Sequence, residues 1–199
     1  MVAPGRVVVV NGTSSAGKTT LAQAFQEARA AAGECWVVFG IDDFVPRLPR
    51  RWVAIDAWSG SLADEGVRLV RDGDRARYEI GALGRRLKSA YRRSIADVAR
   101  AGLNVVVDDV TIERDEWDEW CEALAGLDPL WVALRCDVDV AATREATRGD
   151  RVRGLARGVV DLVHRFPAYD LELDSTATSA ADLVHQLAAY LGESPTRAG

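Results

Sequence analysis

The sequence has 199 residues, of which 48% are hydrophobic, and its formal net charge at pH 7 is −5. This length and composition predict one globular domain with a single sizeable core. A negative chain lacks the excess of Lys and Arg that phosphate backbones attract, so we expect no nucleic acid among its main partners.

The sequence carries no predicted signal for export or membrane insertion. The apolar run Val7–Val10 is too short for a signal peptide or a membrane span, and no other segment approaches one. Cys35, Cys121 and Cys136 are widely spaced and lack metal-ligand spacing, which is typical of reduced cysteines. We therefore predict a cytoplasmic protein with no membrane partner, and a homo-oligomer stays open.

Apolar runs that alternate with amphipathic helical patterns predict the fold. The runs are Arg6–Asn11, Trp36–Phe39, Val105–Val107, Leu130–Leu134 and Leu171–Leu173. They are typical of parallel strands, which a sheet buries on both faces. Helical stripes of apolar residues begin after Lys18, near Leu83 and near Leu183. The alternation predicts an α/β fold with a five-stranded parallel sheet, right-handed crossovers and helices on both faces.

The segment between the first strand and the first helix matches the phosphate-loop pattern G-x-x-x-x-G-K-[ST]. Backbone N–H groups of such a loop converge on an anion, and the positive end of the following helix adds to the attraction. The residues predicted to bind the nucleotide are Gly12, Thr13, Ser14, Ser15, Ala16, Gly17, Lys18, Thr19 and Thr20. With this motif the sequence predicts a P-loop NTPase kinase-type three-layer fold.

Two residues of the motif have predicted roles beyond backbone binding. Lys18 is expected to reach the β- and γ-phosphates of ATP and to take part in catalysis, and the Thr19 hydroxyl is expected to bind Mg²⁺. The alternative is a Gly/Ser turn followed by a surface lysine. The strand before the motif and the amphipathic helix after it favour the phosphate loop.

Carboxylates follow the second predicted strand, at the sheet edge where ligands bind in open α/β folds. We expect this strand to neighbour the strand of the phosphate loop, which would place Asp42 near the γ-phosphate. Transfer to a hydroxyl needs a base or an orienting acceptor beside the reacting oxygen, so Asp42 is the predicted base. Capping of the following turn is the alternative for Asp42 and the predicted role of Asp43.

Asp108 and Asp109 end the apolar run Val105–Val107. A carboxylate after such a strand is the usual acceptor beside Mg²⁺ in phosphoryl-transfer sites. Periodicity does not choose between the two residues, and turn hydrogen bonds are an equal alternative for each.

An arginine-rich segment near residue 148 is predicted to act on the phosphates. Arg144, Arg148 and Arg151 lie at i, i+4 and i+7 of a predicted helix and would share one face. Arginine charge closing over the phosphates stabilises the transition state, and a lid excludes water. We predict Arg148 and Arg151 as catalytic and Arg144 as nucleotide-binding, with a solvated ion-paired face as the alternative. A second basic face, on the Leu83–Val98 helix, is interpreted as solvated.

Residues 1–192 are interpreted as one kinase domain, because neither a linker nor a repeat interrupts them. Residues 45–80 show no clean period and are interpreted as an insertion on the acceptor side. Residues 139–157 are predicted to form a helical lid, and residues 193–199 a disordered tail.

Segments along nearly the whole chain form, in order, one recognisable pattern. They are Val10–Thr19, Phe39–Asp42, Ala99–Gly102, Val107–Val110, Leu130–Val132, Arg135–Asp137, Arg144–Arg151, Val163–His164 and Tyr169–Asp174. On these segments the chain resembles the chloramphenicol phosphotransferase-like family of P-loop small-molecule kinases. The resemblance implies phosphorylation of a hydroxyl on a small molecule, often an antibiotic, with ATP and Mg²⁺. It also implies that Asp42 is the base and that the arginine segment is a lid.

Two features depart from the family's pattern. Asp43 stands where we expect an uncharged residue, and Arg47–Tyr78 differs in composition. A hydroxylated acceptor other than chloramphenicol therefore fits equally well. Two alternatives stay open: a metabolic kinase of the gluconate or shikimate type, and a nucleotide-dependent regulatory protein that transfers no phosphate.

Overall fold

The computed structural model describes residues 2–43, 45–55, 58–148 and 152–193, which form two β-sheets and their flanking helices. In chain order the strands are β1 (Val7–Asn11), β2 (Trp36–Gly40), β3 (Val53–Ile55), β4 (Trp58–Ser59), β5 (Val67–Asp72), β6 (Arg75–Ile80), β7 (Asn104–Asp109), β8 (Leu130–Arg135) and β9 (Leu171–Asp174). The five runs predicted as strands are β1, β2, β7, β8 and β9.

The helices lie mostly where the apolar stripes predict them. They are α1 (Lys18–Ala31), α2 (Ala82–Arg100), α3 (Arg114–Ala123), α4 (Val138–Thr147), α5 (Leu155–Val159) and α6 (Ala180–Glu193). Among the described residues, no helix combines the length and the apolar composition needed to cross a bilayer. The predicted tail lies outside the described residues, apart from Glu193 at the end of α6.

The larger sheet has the strand order β2-β7-β1-β8-β9, and every neighbouring pair is parallel. The expectation that the strand before Asp42 neighbours the phosphate-loop strand is wrong, because β7 lies between β2 and β1. Consecutive strands are neighbours in only about two-thirds of cases. Here the chain crosses from β1 through α1 to a position two strands away, and β7, which comes later in the sequence, lies between β1 and β2.

The four valines of β1 explain why this sheet is covered on both faces. Val8 and Val10 pack in one core with residues of α1 and α6, whereas Val7 and Val9 pack in another with residues of α2 and α3. Alternate side chains of a strand point to opposite faces, so an unbroken valine run needs cover on each side. The predicted three-layer α/β architecture is therefore confirmed.

A second sheet, with strand order β4-β3-β5-β6, occupies the stretch where the sequence showed no period. Its best-formed part is the antiparallel β5–β6 hairpin, paired from Val67 with Ile80 to Asp72 with Arg75. The strands have two to six residues, and β5 and β6 carry exposed arginines. Such short strands give a weak periodic signal, because β3, β5 and β6 each bury only one residue, namely Val53, Val67 and Ala76.

The helix α5 joins this second sheet to the rest of the domain. The Ala76 N–H donates to the Gly154 carbonyl at 2.8 Å, and Gly158 lies directly against the backbone of Ala76. The prediction of one helix over residues 139–157 is wrong, because α4 ends at Thr147 and α5 begins at Leu155. The segment is therefore two helices with different neighbours.

The basic face of α2 is solvated only in part: Arg85, Arg86 and Arg93 are exposed as expected, but Lys88 and Arg92 are covered. Arg92 is 2% exposed, lies over the Trp120 ring at 5.6 Å from its centroid, and forms an ion pair with Glu119. Lys88 forms an ion pair with Glu116. These contacts hold α2 against α3, since a buried guanidinium is stable only with such partners.

We expect Gly158→Ala to destabilise the domain, because an added Cβ would lie 1.7 Å from the Ala76 carbonyl oxygen. Overpacking of this kind costs about 1–3 kcal/mol, which lowers Tm by roughly 2–12 °C in a domain of this size. Gly192→Ala is the control, because its added methyl meets nothing within 4 Å. Calorimetry that found an unchanged Tm for Gly158→Ala would contradict the close packing of α5 on β6.

Candidate active site at the phosphate loop

The phosphate loop leaves the carboxyl end of β1 and turns into α1. Its residues are Gly12, Thr13, Ser14, Ser15, Ala16 and Gly17, all buried or half-buried. Gly17 has φ 95° and Ser15 has φ 58°, in the left-handed region that side chains disfavour. Right- and left-handed residues in succession orient neighbouring N–H groups toward one point, which is the geometry that holds an anion.

Three of the predicted site residues meet at the start of α1. The Lys18 ammonium donates to the Thr13 carbonyl at 2.9 Å and lies 3.6 Å from Oδ1 of Asp108. The Thr19 hydroxyl donates to Oδ2 of the same carboxylate. Thr20, by contrast, is exposed and outside this cluster. A lysine, a hydroxyl and a carboxylate therefore converge beside the loop.

The structure distinguishes between Asp108 and Asp109, which the sequence could not do. Asp109 is fully buried, and its Oδ2 accepts hydrogen bonds from Trp120 Nε1 at 2.6 Å and from Thr111 Oγ1 at 3.0 Å. Adjacent residues of a strand point to opposite faces, so only Asp108 can face Thr19. Asp109 instead connects β7 to α3.

The Asp108 carboxylate is held in a position that suits a cation. Burial raises its pKa above the usual value, while the Lys18 charge and the Thr19 hydrogen bond oppose the shift. The nearby charge of Asp42 raises it further. A buried carboxylate beside a hydroxyl oxygen offers the hard oxygen ligands that Mg²⁺ prefers, so the residues present fit this ion.

Asp42 lies immediately beyond the end of β2, in the 3-10 turn Ile41–Asp43, and is exposed. Gly40 of β2 is paired with Asp108 of β7, so Asp42 follows two residues beyond that level. Asn11, the last residue of β1, is paired with Asp109 of the same strand β7, so the ends of β1 and β2 lie at one level. Although its strand is not next to β1, Asp42 is thus on the same edge of the sheet as the phosphate loop.

Arg144 connects α4 to the loop that follows β9. Its guanidinium donates to the Ser175 carbonyl at 2.7 Å and to Cys136 Sγ at 3.4 Å. The Ser175 hydroxyl in turn donates to the Ala16 carbonyl at 2.7 Å. Arg144 is therefore linked to the phosphate loop through a single residue, Ser175.

Arg148 does not continue the helical face that carries Arg144. Arg148 follows the last residue of α4 with an extended backbone, at φ −88° and ψ 112°, and its side chain is exposed. The Thr147 hydroxyl donates to the Arg144 carbonyl, a local bond that competes with helix continuation. Arg151 lies outside the described residues.

A polar network around Asn11, the last residue of β1, was not predicted from the sequence. The Asn11 amide donates to the Val163 carbonyl at 2.7 Å and to the Tyr169 hydroxyl at 2.8 Å, and it accepts from the Thr111 N–H at 2.9 Å. Nδ1 of His164 lies 2.8 Å from the same hydroxyl. The one available signal was a buried asparagine at the end of a valine strand, immediately before the motif.

The phosphate loop lies at the end of the central strand of a parallel sheet, beside the cluster of Lys18, Thr19 and Asp108. This arrangement defines the class of P-loop nucleotide-binding proteins. The chain belongs to the chloramphenicol phosphotransferase-like family, whose model matches residues 5–191. The Mycobacterium tuberculosis protein Rv2636, provisionally named an O-phosphotransferase, is 34% identical over 199 residues. That alignment covers 96% of this chain and 82% of the relative.

Solved structures with the same fold include small-molecule kinases. The APS kinase CysC of Mycobacterium tuberculosis, in complex with AMPPNP and APS, is 16% identical with a TM-score of 0.63, covering 96% of this chain and 99% of that one. A gluconokinase from Sinorhizobium meliloti is 20% identical with a TM-score of 0.60, covering 96% and 94%. At these identities the likeness shows a shared P-loop kinase fold.

We expect stability to fall as the pH drops from about 6.5 to about 4, partly through His164. Burial lowers the pKa of His164 to about 4. Between these pH values His164 therefore binds a proton in the unfolded chain but not in the folded chain, which favours unfolding. The ring is partly exposed, which limits the effect to roughly 2–5 °C in Tm. Thermal melts at pH 7.5 and pH 5 would show a smaller loss in His164→Gln, and equal losses in both proteins would contradict the assignment.

Proposed function

We propose that this protein is an ATP-dependent O-phosphotransferase that acts on a hydroxyl group of a small molecule. The observation that carries the proposal is the convergence of Lys18, Thr19 and Asp108 at the phosphate loop, with Asp42 near the same carboxylate. Family membership supports the reaction type. The fold neighbour CysC, solved with AMPPNP, supports ATP as the donor.

In this proposal the loop 12–17 and the first turn of α1 bind the β-phosphate of ATP through backbone N–H groups. Lys18 turns from the Thr13 carbonyl to the β- and γ-phosphates and neutralises charge during transfer. Arg144 supports the nucleotide site through Ser175, whose hydroxyl contacts the loop at Ala16. The loop is therefore held at Ala16 before nucleotide binds.

Thr19 and Asp108 are the residues that would hold Mg²⁺. When bound, this ion neutralises charge on the phosphate oxygens. The hydroxyl and the carboxylate already lie within hydrogen-bonding distance of each other, so they require little rearrangement to face the same cation.

The acceptor oxygen attacks the γ-phosphorus while the bond from that phosphorus to the bridging oxygen breaks, which yields a phosphate ester and ADP. Asp42 accepts the proton that the acceptor hydroxyl loses. We propose that Arg148 and Arg151 approach the transferring phosphoryl group, where positive charge stabilises the transition state. Arg148 is exposed and so can move to a bound ligand.

The acceptor class has two candidates. The family description favours a hydroxylated antibiotic such as chloramphenicol. One observation favours an anionic acceptor of a metabolic kinase: Arg47, Arg50 and Arg51 are exposed and have no carboxylate partner among the described residues. Arg50 is also held over the exposed Trp58 ring, 4.9 Å from its centroid.

The experiment that tests the function is a screen with γ-labelled ATP against neutral hydroxylated antibiotics and anionic hydroxy acids. Labelled product from the first set supports the antibiotic acceptor, and product from the second supports the metabolic kinase. Nucleotide binding without product from any acceptor would favour the regulatory protein and overturn the proposed transfer.

We expect Asp42→Asn to lower the transfer rate by about 10²–10⁴-fold, because the amide cannot accept the proton. The dissociation constant for ATP should stay the same, since in the proposed reaction Asp42 acts on the acceptor hydroxyl and not on the nucleotide. Asp43→Asn is the matched control, with the same charge change one residue away, and should keep its activity. Full activity of Asp42→Asn in the labelled-ATP assay would refute the base.

We expect Asp108→Asn to lower the affinity for the Mg²⁺ ion that accompanies the nucleotide by about 10–100-fold, because a charged oxygen ligand is lost. Calorimetric titration of ADP at several Mg²⁺ concentrations measures this change. Asp118→Asn alters an exposed carboxylate of α3 and serves as the control. Equal Mg²⁺ dependence in the Asp108→Asn variant and the unmodified protein would remove Asp108 from the metal site.

A further inference from the structure

Glu145 is a buried carboxylate in α4 that the reaction described above does not use. It is 2% exposed, and its two oxygens accept hydrogen bonds from the N–H groups of Gly154 at 2.6 Å and Ala156 at 2.9 Å. A carboxylate is costly to bury unless such bonds compensate for lost water. The two bonds therefore fix α4 and the start of α5 in one arrangement.

Ala156, one of these two donors, also contacts the phosphate loop. Its carbonyl accepts a hydrogen bond from the buried Thr13 hydroxyl at 2.9 Å. The Thr13 carbonyl, in turn, accepts the hydrogen bond from the Lys18 ammonium at 2.9 Å. A continuous series of contacts thus runs from Glu145 through Ala156 and Thr13 to the lysine of the motif.

The far side of α5 is fixed as well, so this helix is a support for the loop. The Gly154 carbonyl accepts from the Ala76 N–H of β6, and Gly158 leaves no space against the Ala76 backbone. If the Glu145 bonds were lost, the first turn of α5 would be free to shift relative to Thr13. A shift of this size matters, because displacements of about 1 Å can change binding and rate strongly.

We propose that Glu145 is a positioning residue for the phosphate loop, which acts through Ala156 and Thr13 on Lys18 without touching the nucleotide. This inference rests on the proposed function only in that the loop binds a nucleotide. A residue that merely stabilised the fold would lower Tm when replaced and leave the nucleotide affinity of the folded protein unchanged.

The test measures the dissociation constant for ADP with Mg²⁺ by calorimetric titration of the full chain. Glu145→Gln keeps the size of the side chain but places an amide N–H₂ opposite one backbone N–H, so one of the two hydrogen bonds is lost. We expect about tenfold weaker binding of ADP. Asp139→Asn is the matched control, because Asp139 of α4 also contacts α5, through Arg157 at 2.5 Å on the exposed surface. It should bind ADP as the unmodified protein does.

Thr13→Val tests the next step and keeps the inference falsifiable if Glu145→Gln does not fold. We expect Thr13→Val to weaken binding and Thr13→Ser, which keeps the hydroxyl, to preserve it. The double variant with Glu145→Gln should lose less than the sum of the single losses, because both act through Ala156.

Unchanged ADP affinity in either Glu145→Gln or Thr13→Val, or strictly additive losses in the double variant, would overturn the positioning role. These outcomes differ from failure of the proposed function. If the function is wrong, either the unmodified protein binds no nucleotide or it binds nucleotide without transferring phosphate.

Discussion

The burial of β1 on both faces is the constraint on which the rest of this structure depends. Its valines require helices on either side, and those helices require crossovers that bring every strand of the sheet to end at one edge. The phosphate loop follows β1 at that edge, and Asp108 arrives beside it on β7, with Asp42 beyond β2. Residues far apart in sequence meet because one strand needs cover on both sides.

The sequence predicted the parts of the site that depend on local pattern. The phosphate loop needs only its own glycines, lysine and threonine in the right order, and the five apolar runs predict the sheet. The choice between Asp108 and Asp109 depended instead on which face of β7 meets α1. No periodicity in the sequence contains that information, because both faces of this strand are buried.

The errors have a common physical origin in partners that the sequence does not display. The basic face of α2 is typical of a solvated surface, yet Lys88 and Arg92 are covered because the acidic residues of α3 pack against them. The predicted helix over residues 139–157 fails where Thr147 bonds to the backbone and α5 turns toward the second sheet. In each case a tertiary contact overrides a reasonable local preference.

The two halves of the candidate site differ in how completely they are formed. Lys18, Thr13 and Asp108 are largely buried, and Lys18 already contacts the other two, so the nucleotide half is organised before any ligand arrives. Asp42 and Arg148, which the proposed reaction needs beside the acceptor, are exposed. The buried nucleotide half keeps water away from the phosphates, whereas the exposed half excludes water only when a ligand covers it. In the proposed reaction the acceptor would complete the site, and α5 contacts both the phosphate loop and the second sheet, where we propose that the acceptor binds.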